Sequence, residues 1–154
     1  MTSLPDVPLG GLYGHLILDH YRNPRNREPV PNADIEAEEF NPFCGDRIAL
    51  QLGLDSEGRV AQACSRSEGC SIIQASASMM ADLAFGKSLG ELEGLAELFR
   101  SMMRGERSSD GIAEELGDLK ALEVVRAFPV RIKCALLPWV ALEEGIARFR
   151  KQSE

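Results

Sequence analysis

Residues 47–64, RIALQLGLDSEGRVAQAC, decide the fold. Along residues 47–54 apolar and other residues alternate, as in a strand with one buried face. The next four residues, DSEG, suit a hairpin turn because Gly58 can adopt a positive φ. Residues 60–64 then form the return strand, so the stretch predicts an antiparallel hairpin.

The residues before this hairpin predict one helix, one loop and one further strand. Residues 9–21 carry apolar side chains at helical spacing, and Asn23-Pro24 ends the pattern. Residues 26–32 contain Pro29 and Pro31, so they predict an extended loop. Residues 35–40 form the weakest of the three strand predictions.

The residues after the hairpin predict helices. Residues 71–85 and 88–104 each end at a glycine, and Ser88 with Glu91 has the pattern of a capping box. The small residues at 75–80 predict close helix packing. Two further helices are predicted at 119–128 and 132–148, the last starting or kinking near Cys134 because Pro138 lacks an N–H. The polar segment 107–117 is the candidate for a mobile surface loop.

The order of these elements predicts the fold class. Strands come first and helices follow, which indicates an α+β fold in which helices pack on one face of a three-stranded antiparallel sheet. The chain has 154 residues, no internal repeat and no linker-like tract, so a single domain over residues 1–154 is expected.

Composition excludes several classes of protein. Hydrophobic residues make up 44% and charged residues 27% of the chain, and no apolar run approaches the roughly 20 residues that a membrane helix needs. The first residues lack the pattern of a secretory signal, so a cytoplasmic protein is expected. A net charge of -7 argues against nucleic acid as a partner.

Four cysteines in a reducing compartment are better interpreted as metal ligands or reactive thiols than as disulfides. Cys44 and Asp46 lie in one tight turn, NPFCGD, while Cys70 and Cys134 lie near predicted helix starts. Three thiolates and one carboxylate suit zinc or a cluster iron. The residues alone leave open that Cys70 and Cys134 are small buried apolar side chains.

The other reactive residues have ordinary explanations beside functional ones. Cys64 takes a strand position and is expected to be a structural or surface cysteine. His15 and His20 lie in the first helix, where a surface or packing role is the more common outcome. Arg131 and Lys133 flank Cys134, where a cation lowers a thiol pKa, or they are solvated charges.

Three segments, NPFCGD (41–46), EGCSIIQASASMM (68–80) and RIKCALLPW (131–139), resemble the metal-site motifs of the IscU/NifU-N/SufU iron–sulfur cluster assembly superfamily. The segment 12–26 resembles that family's first helix, so the likeness covers nearly the whole chain. Lys133 stands where IscU-type scaffolds carry histidine, and residues 105–122 resemble the insertion of the SufU-type branch.

The resemblance implies a SufE/NifU-like fold and a role for each motif residue. It implies that Cys44, Asp46, Cys70 and Cys134 bind zinc, while Cys64 has no counterpart. It further implies that Cys44 accepts persulfide sulfur from a pyridoxal-phosphate-dependent cysteine desulfurase and passes it to downstream iron–sulfur assembly proteins.

Three other hypotheses remain open at this stage. The same ligands would serve a transient iron–sulfur cluster scaffold, although Lys133 weakens that hypothesis. A purely structural zinc protein would keep its site buried and inert. A cysteine hydrolase would need His15 or His20 beside a thiol, and nothing in the sequence places them there.

Overall fold

A computed structural model describes residues 14–42 and 45–152. In chain order the elements are α1 (Gly14–Arg22), β1 (Ile35–Asn41), β2 (Asp46–Leu54), β3 (Val60–Glu68), α2 (Ser71–Ala84), α3 (Leu89–Met103), a 3-10 turn (Ser109–Gly111), α4 (Ala113–Leu116), a 3-10 helix (Gly117–Ala127) and α5 (Pro129–Gln152). The first five residues of the predicted N-terminal helix lie outside the described ranges.

The three strands form one antiparallel sheet in the order β1-β2-β3. Leu50 at its centre pairs with Ala37 on one side and Ser65 on the other. Gly58 has φ +79 in the turn, as its position in the sequence predicts. The predicted hairpin and fold class are confirmed, and β3 runs four residues beyond its predicted end.

The helices cover one face of this sheet. Alternate residues of β1 and β2, among them Ile35, Ile48 and Leu52, are buried; α5 packs against these two strands and α2 packs against β3. The small-residue segment 75–80 of α2 is fully buried, and its Ser76 hydroxyl donates to the Ala135 carbonyl of α5 at 2.6 Å. This confirms the predicted close packing, which only small side chains permit.

Two helices differ from the sequence prediction. α5 begins at Pro129, several residues before the predicted start, because a proline in the first helical turn loses no hydrogen bond. Pro138 lies inside α5 and does not end it. The predicted helix at 119–128 exists as the 3-10 helix Gly117–Ala127.

The prediction of a mobile surface loop at 107–117 is wrong. The segment contains a 3-10 turn and α4, and it buries Ile112 and Leu116 in the common core. Ser109 is also buried, and its hydroxyl donates to the Glu123 carboxylate at 2.7 Å. A few apolar residues are enough to fix a segment when each of them packs into the core, and the polar composition of the segment does not show that they do so.

Within the described ranges, every helix is too short or too polar to span a membrane.

Glu39 of β1 and Glu144 of α5 form a contact that depends on pH. The hydrogen bond to Glu144, burial and the charge of Glu144 raise the pKa of Glu39 to about 7, whereas Arg148 opposes the shift. The ordinary value is 4.5, so the folded chain holds a proton that the unfolded chain has already released. The stability that the protonated Glu39–Glu144 contact adds to the fold is therefore complete below pH 4.5, and it is lost as pH rises through about 7.

We expect the free energy of unfolding to fall by about 1 kcal/mol or less between about pH 5 and about pH 8, since Glu144 is exposed and solvent screens its interaction with the half-buried Glu39. Urea unfolding at both pH values measures the change. Glu39→Gln should flatten this dependence, while the control Glu38→Gln, on the opposite face, should retain it. An equal fall in the Glu39→Gln protein would show that this pair is not the cause.

Candidate metal centre

The ends of two neighbouring strands bring the first candidate ligands together. Asp46 is the first residue of β2, and β3 ends at Glu68, which pairs with Arg47. Two residues later Cys70 caps the N-terminus of α2 in an extended conformation. Adjacent antiparallel strands thus place residues 46 and 70 side by side, although they are far apart in sequence.

Cys134 of α5 completes a cluster of three donors. One ligand atom each of Asp46, Cys70 and Cys134 lies within 4.8 Å of the other two. The backbone N–H of Cys70 donates to Asp46 Oδ1 at 3.3 Å, and Cys70 Sγ lies 3.9 Å from Asp46 Oδ2. The sequence analysis had predicted that these three residues share one site, and the structure places them together. Its fourth member, Cys44, lies outside the described residues.

The cluster is buried on one side and open on the other. Asp46 and Cys134 are 1% and 0% exposed, whereas Cys70 is half-buried. Cys134 lies in the second turn of α5, with Sγ 3.9 Å from the carbonyl oxygen of the exposed Val130. It is not at the helix start that the sequence suggested, because the helix begins at Pro129.

The two thiols differ in how readily they ionise. A hydrogen bond from Cys134 lowers the pKa of Cys70 to about 6 against the effect of burial, assisted by the backbone N–H groups of Ile73 and Ile72. The pKa of Cys134 is raised, because it donates to Cys70 and is buried beside Asp46. The first proton of the pair therefore leaves more readily from Cys70 than from Cys134.

Arg131 is the cation of this site. The guanidinium is 3% exposed and hydrogen-bonds to both cysteine sulfurs. Burial opposes the charge, yet the negative charge of the Cys70–Cys134 pair and the hydrogen bonds to its sulfurs keep the pKa of Arg131 raised. Lys133 is exposed. The sequence left open whether Arg131 and Lys133 interact with the thiols or are solvated. Helix geometry selects Arg131, because residues three apart lie on the same helix face and Arg131 is three residues before Cys134.

Gly69 is a position on which the geometry of the cluster depends, and the sequence analysis missed it. Its φ is +136, and a Cβ at this position would lie 2.0 Å from Asp46 Oδ1 and 2.7 Å from Asp46 Cγ. Only a residue without a side chain lets the Asp46 carboxylate approach the Cys70 N–H. The sequence offered one signal for this role, because Gly69 directly precedes Cys70.

The remaining candidates lie outside the cluster. Cys64 is buried but points to the sheet face opposite the helices, as its alternation with the inward Ala63 and Ser65 shows. His20 is 1% exposed, and its ring nitrogens lie 2.8 Å from Ser78 Oγ and 2.9 Å from Asp118 Oδ2. Both nitrogens are occupied, so His20 cannot activate a thiol.

The donor set fits zinc. Tetrahedral zinc has bonds of about 2.3 Å to sulfur and about 2.0 to 2.2 Å to oxygen, which separate its ligand atoms by roughly 3.5 to 4 Å. The mutual distances in the cluster, all within 4.8 Å, need only a small contraction to reach this geometry. Two thiols and a carboxylate are also ligand types that zinc prefers.

A comparison with protein families identifies the domain that contains the cluster. The profile of the NifU-like N-terminal domain matches residues 12–154. The chain belongs to this family. The family includes the segments on which Asp46, Cys70 and Cys134 lie, so the cluster is part of the matched domain.

Characterised relatives cover most of the chain. The zinc-dependent sulfurtransferase SufU of Bacillus subtilis is 46% identical over 91% of this chain and 92% of its own length. The iron–sulfur cluster assembly scaffold protein IscU of Streptococcus pyogenes is 38% identical over 91% and 86%. A SUF-system scaffold candidate from Fervidobacterium islandicum AW-1 superposes with a TM-score of 0.76 at 29% identity, over 85% and 93%.

Proposed function

We propose that this protein is a zinc-dependent acceptor and carrier of persulfide sulfur in iron–sulfur cluster assembly. The observation that carries the proposal is the convergence of Asp46, Cys70 and Cys134 on one point. The 46% identity to a zinc-dependent sulfurtransferase supports the choice of metal and of reaction class.

Four residues are proposed to hold zinc: Cys44, Asp46, Cys70 and Cys134. Bound zinc would supply a Lewis acid without redox chemistry, which keeps thiols deprotonated and leaves persulfides intact. Cys70 already favours the thiolate form, and Arg131 offsets part of the negative charge of the ligand set. Asp46 contributes an oxygen ligand, which binds zinc less tightly than a thiolate does.

Cys44 is proposed to accept the sulfur. Its thiolate attacks the outer sulfur of a cysteine persulfide on the partner, the S–S bond breaks, and the partner's cysteine leaves as a thiolate. Cys44 then carries the sulfur as its own persulfide. The exchange consumes no oxidant or reductant, so residues of the two proteins suffice for this step.

The proposed partner is a pyridoxal-phosphate-dependent cysteine desulfurase, with downstream iron–sulfur assembly proteins receiving the sulfur. Exposed apolar residues at and before the start of α5 support protein docking: Val124, Ala127, Pro129 and Val130 are all exposed, and the Val130 carbonyl oxygen lies 3.9 Å from Cys134 Sγ. We place the reaction in the cytoplasm, where thiols stay reduced.

A transient iron–sulfur cluster scaffold is the second candidate. The 38% identity to a scaffold protein favours it, and the same four residues would hold the cluster. Lys133 counts against it, because this exposed residue supplies no imidazole next to Cys134.

Metal analysis and a desulfurase assay separate these functions. We expect about one zinc per chain, faster desulfurase turnover with the parent protein, and one added sulfur on Cys44 by mass spectrometry. Cys44→Ala should abolish the stimulation, and Cys64→Ala should preserve it. Iron and sulfide in place of zinc, without stimulation, would establish the scaffold instead.

A further inference from the structure

Cys64 is buried on the sheet face opposite the helices, which we call the outer face. Its neighbours on that face of β3, Gln62 and Arg66, are exposed, whereas Cys64 is 3% exposed. Cys64 does not belong to the hydrophobic core cluster that the described residues form under the helices. A segment outside that core must therefore cover it.

The residues between α1 and β1 supply this cover. Positive φ values of 61 at Asn26 and 54 at Asn32 turn the chain at either end of residues 27–31, Arg-Glu-Pro-Val-Pro. We call residues 27–31 the strap. Its two prolines fix φ and favour an extended backbone in the residue before each of them, so the strap has few internal conformations and moves as one piece.

Two hydrogen bonds show that the strap crosses the outer face above Cys64. At its first residue, the Arg27 carbonyl accepts a hydrogen bond from Arg66 Nε at 2.9 Å. Further along, the Val30 N–H donates to Gln51 Oε1 at 3.0 Å. Gln51 is the residue of β2 that pairs with Cys64, and Arg66 follows Cys64 by two residues on the same face. The strap between these two attachments thus spans Cys64.

A cavity on the outer face has both Cys64 and the strap on its walls. Its volume is about 300 Å³, and Pro29 lines it together with Cys64. Burial raises the pKa of the Cys64 thiol, and charges of the strap also act on it, since Arg27 lowers this pKa and Glu28 raises it. Movement of the strap would therefore change the surroundings of the thiol directly.

The strap is attached to the sheet by few contacts. Val30 is its only buried residue, and Val30 Cγ1 lies 3.2 Å from the position that a Cβ on Gly53 would take. Like Cys64, Val30 lies outside the core cluster, which contains buried side chains from every α-helix and every strand. Releasing one valine and two hydrogen bonds costs much less free energy than unfolding that core.

We propose that the strap opens locally and gives thiol-reactive small molecules access to Cys64, while the rest of the domain stays folded. Cys64 is then a modification site that the strap controls. With a maleimide, for example, the Cys64 sulfur adds to the carbon–carbon double bond and the second carbon takes up a proton, so the step consumes no other reactant. The device uses neither the metal centre nor Cys44, so it stands apart from the sulfur-transfer proposal.

Alkylation of the full chain with N-ethylmaleimide tests this proposal. Trypsin cleaves after Arg59 and Arg66, so mass spectrometry follows Cys64 in the peptide 60–66, apart from the other three cysteines. If the strap recloses quickly, the rate reports the fraction of open strap. We expect alkylation slower than in the urea-unfolded chain, yet faster than global unfolding permits. The rate should depend weakly on low urea concentrations, because opening the strap exposes little surface.

Three variants separate local opening from global unfolding. Val30→Ala should raise the alkylation rate of Cys64 about tenfold, because two carbon atoms of the buried anchor are lost. Val124→Ala, the same change at an exposed valine outside the strap, should leave the rate unchanged. Ile146→Val, in the core of α5, should raise the equilibrium constant of global unfolding about fivefold and also leave the rate unchanged.

Any of three results would refute the local opening. An alkylation rate that Val30→Ala does not change would show that the strap is not the cover. A rate that rises in Ile146→Val as much as global unfolding does would show that Cys64 is reached only by unfolding the core. A rate in the folded parent equal to that of the urea-unfolded chain would show that Cys64 is not covered.

Discussion

Replacing Cys70 by alanine is expected to strip zinc from the purified protein, whereas replacing Cys64 leaves the zinc in place. Both are free cysteines of the same chain, but only Cys70 lies in the cluster with Asp46 and Cys134. Loss of a residue that merely orients a zinc ligand costs 10-fold to 100-fold in affinity, so loss of the ligand itself should cost at least about 100-fold.

Titration with a competing chelator measures this difference for the parent and both variants. The Cys64→Ala protein should match the parent, because the Cys64 thiol points to the sheet face opposite the helices and burial raises its pKa. Circular dichroism of the Cys70→Ala protein checks that the fold survives. Retention of zinc at parental affinity by a folded Cys70→Ala protein would remove Cys70 from the ligand set.

Replacing Gly69 by alanine is expected to destabilise the protein by about 2 to 4 kcal/mol, the sum of backbone strain and overpacking. The new Cβ would lie 2.0 Å from the Asp46 carboxylate and 3.1 Å from Asp46 Cα. Because the backbone atom is also close, rotation of the Asp46 side chain cannot relieve the contact fully. The displaced carboxylate should also weaken zinc binding.

Gly58→Ala is the matched control for Gly69→Ala. Gly58 also has a positive φ, but a Cβ there meets nothing within 4 Å, so about 1 kcal/mol of strain is expected. Urea unfolding gives both values. Adding Asp46→Ala to Gly69→Ala should recover part of the loss, since it removes the clashing carboxylate. Equal destabilisation at Gly58 and Gly69 would show that the Asp46 contact is unimportant.

Local patterns were sufficient to predict most of the secondary structure. The alternation of apolar residues predicted β2. The Ser88 and Glu91 pair predicted the start of α3, where the structure shows the capping box. Both signals act within a few residues, so the surrounding fold has little influence on them. The prediction failed at 107–117, where Ile112 and Leu116 are held by distant core residues.

The metal centre could be predicted in part. Motif resemblance selected Asp46, Cys70 and Cys134, and the structure brings their ligand atoms within 4.8 Å of one another. Spacing alone was insufficient, because the distance between residues 70 and 134 depends on how α5 crosses the sheet. The assignment of Cys44 as fourth ligand and sulfur acceptor stays a prediction, since that residue lies outside the described ranges.

The sequence by itself determined the order of strands and helices, the chemical types of the ligands and the family resemblance, because these depend on residue identity and short-range spacing. Only the tertiary structure decided that Arg131 rather than Lys133 contacts the thiols, that Cys64 faces away from them, and that Gly69 must lack a side chain. Each of these depends on contacts between elements that packing brings together, which local sequence patterns do not encode.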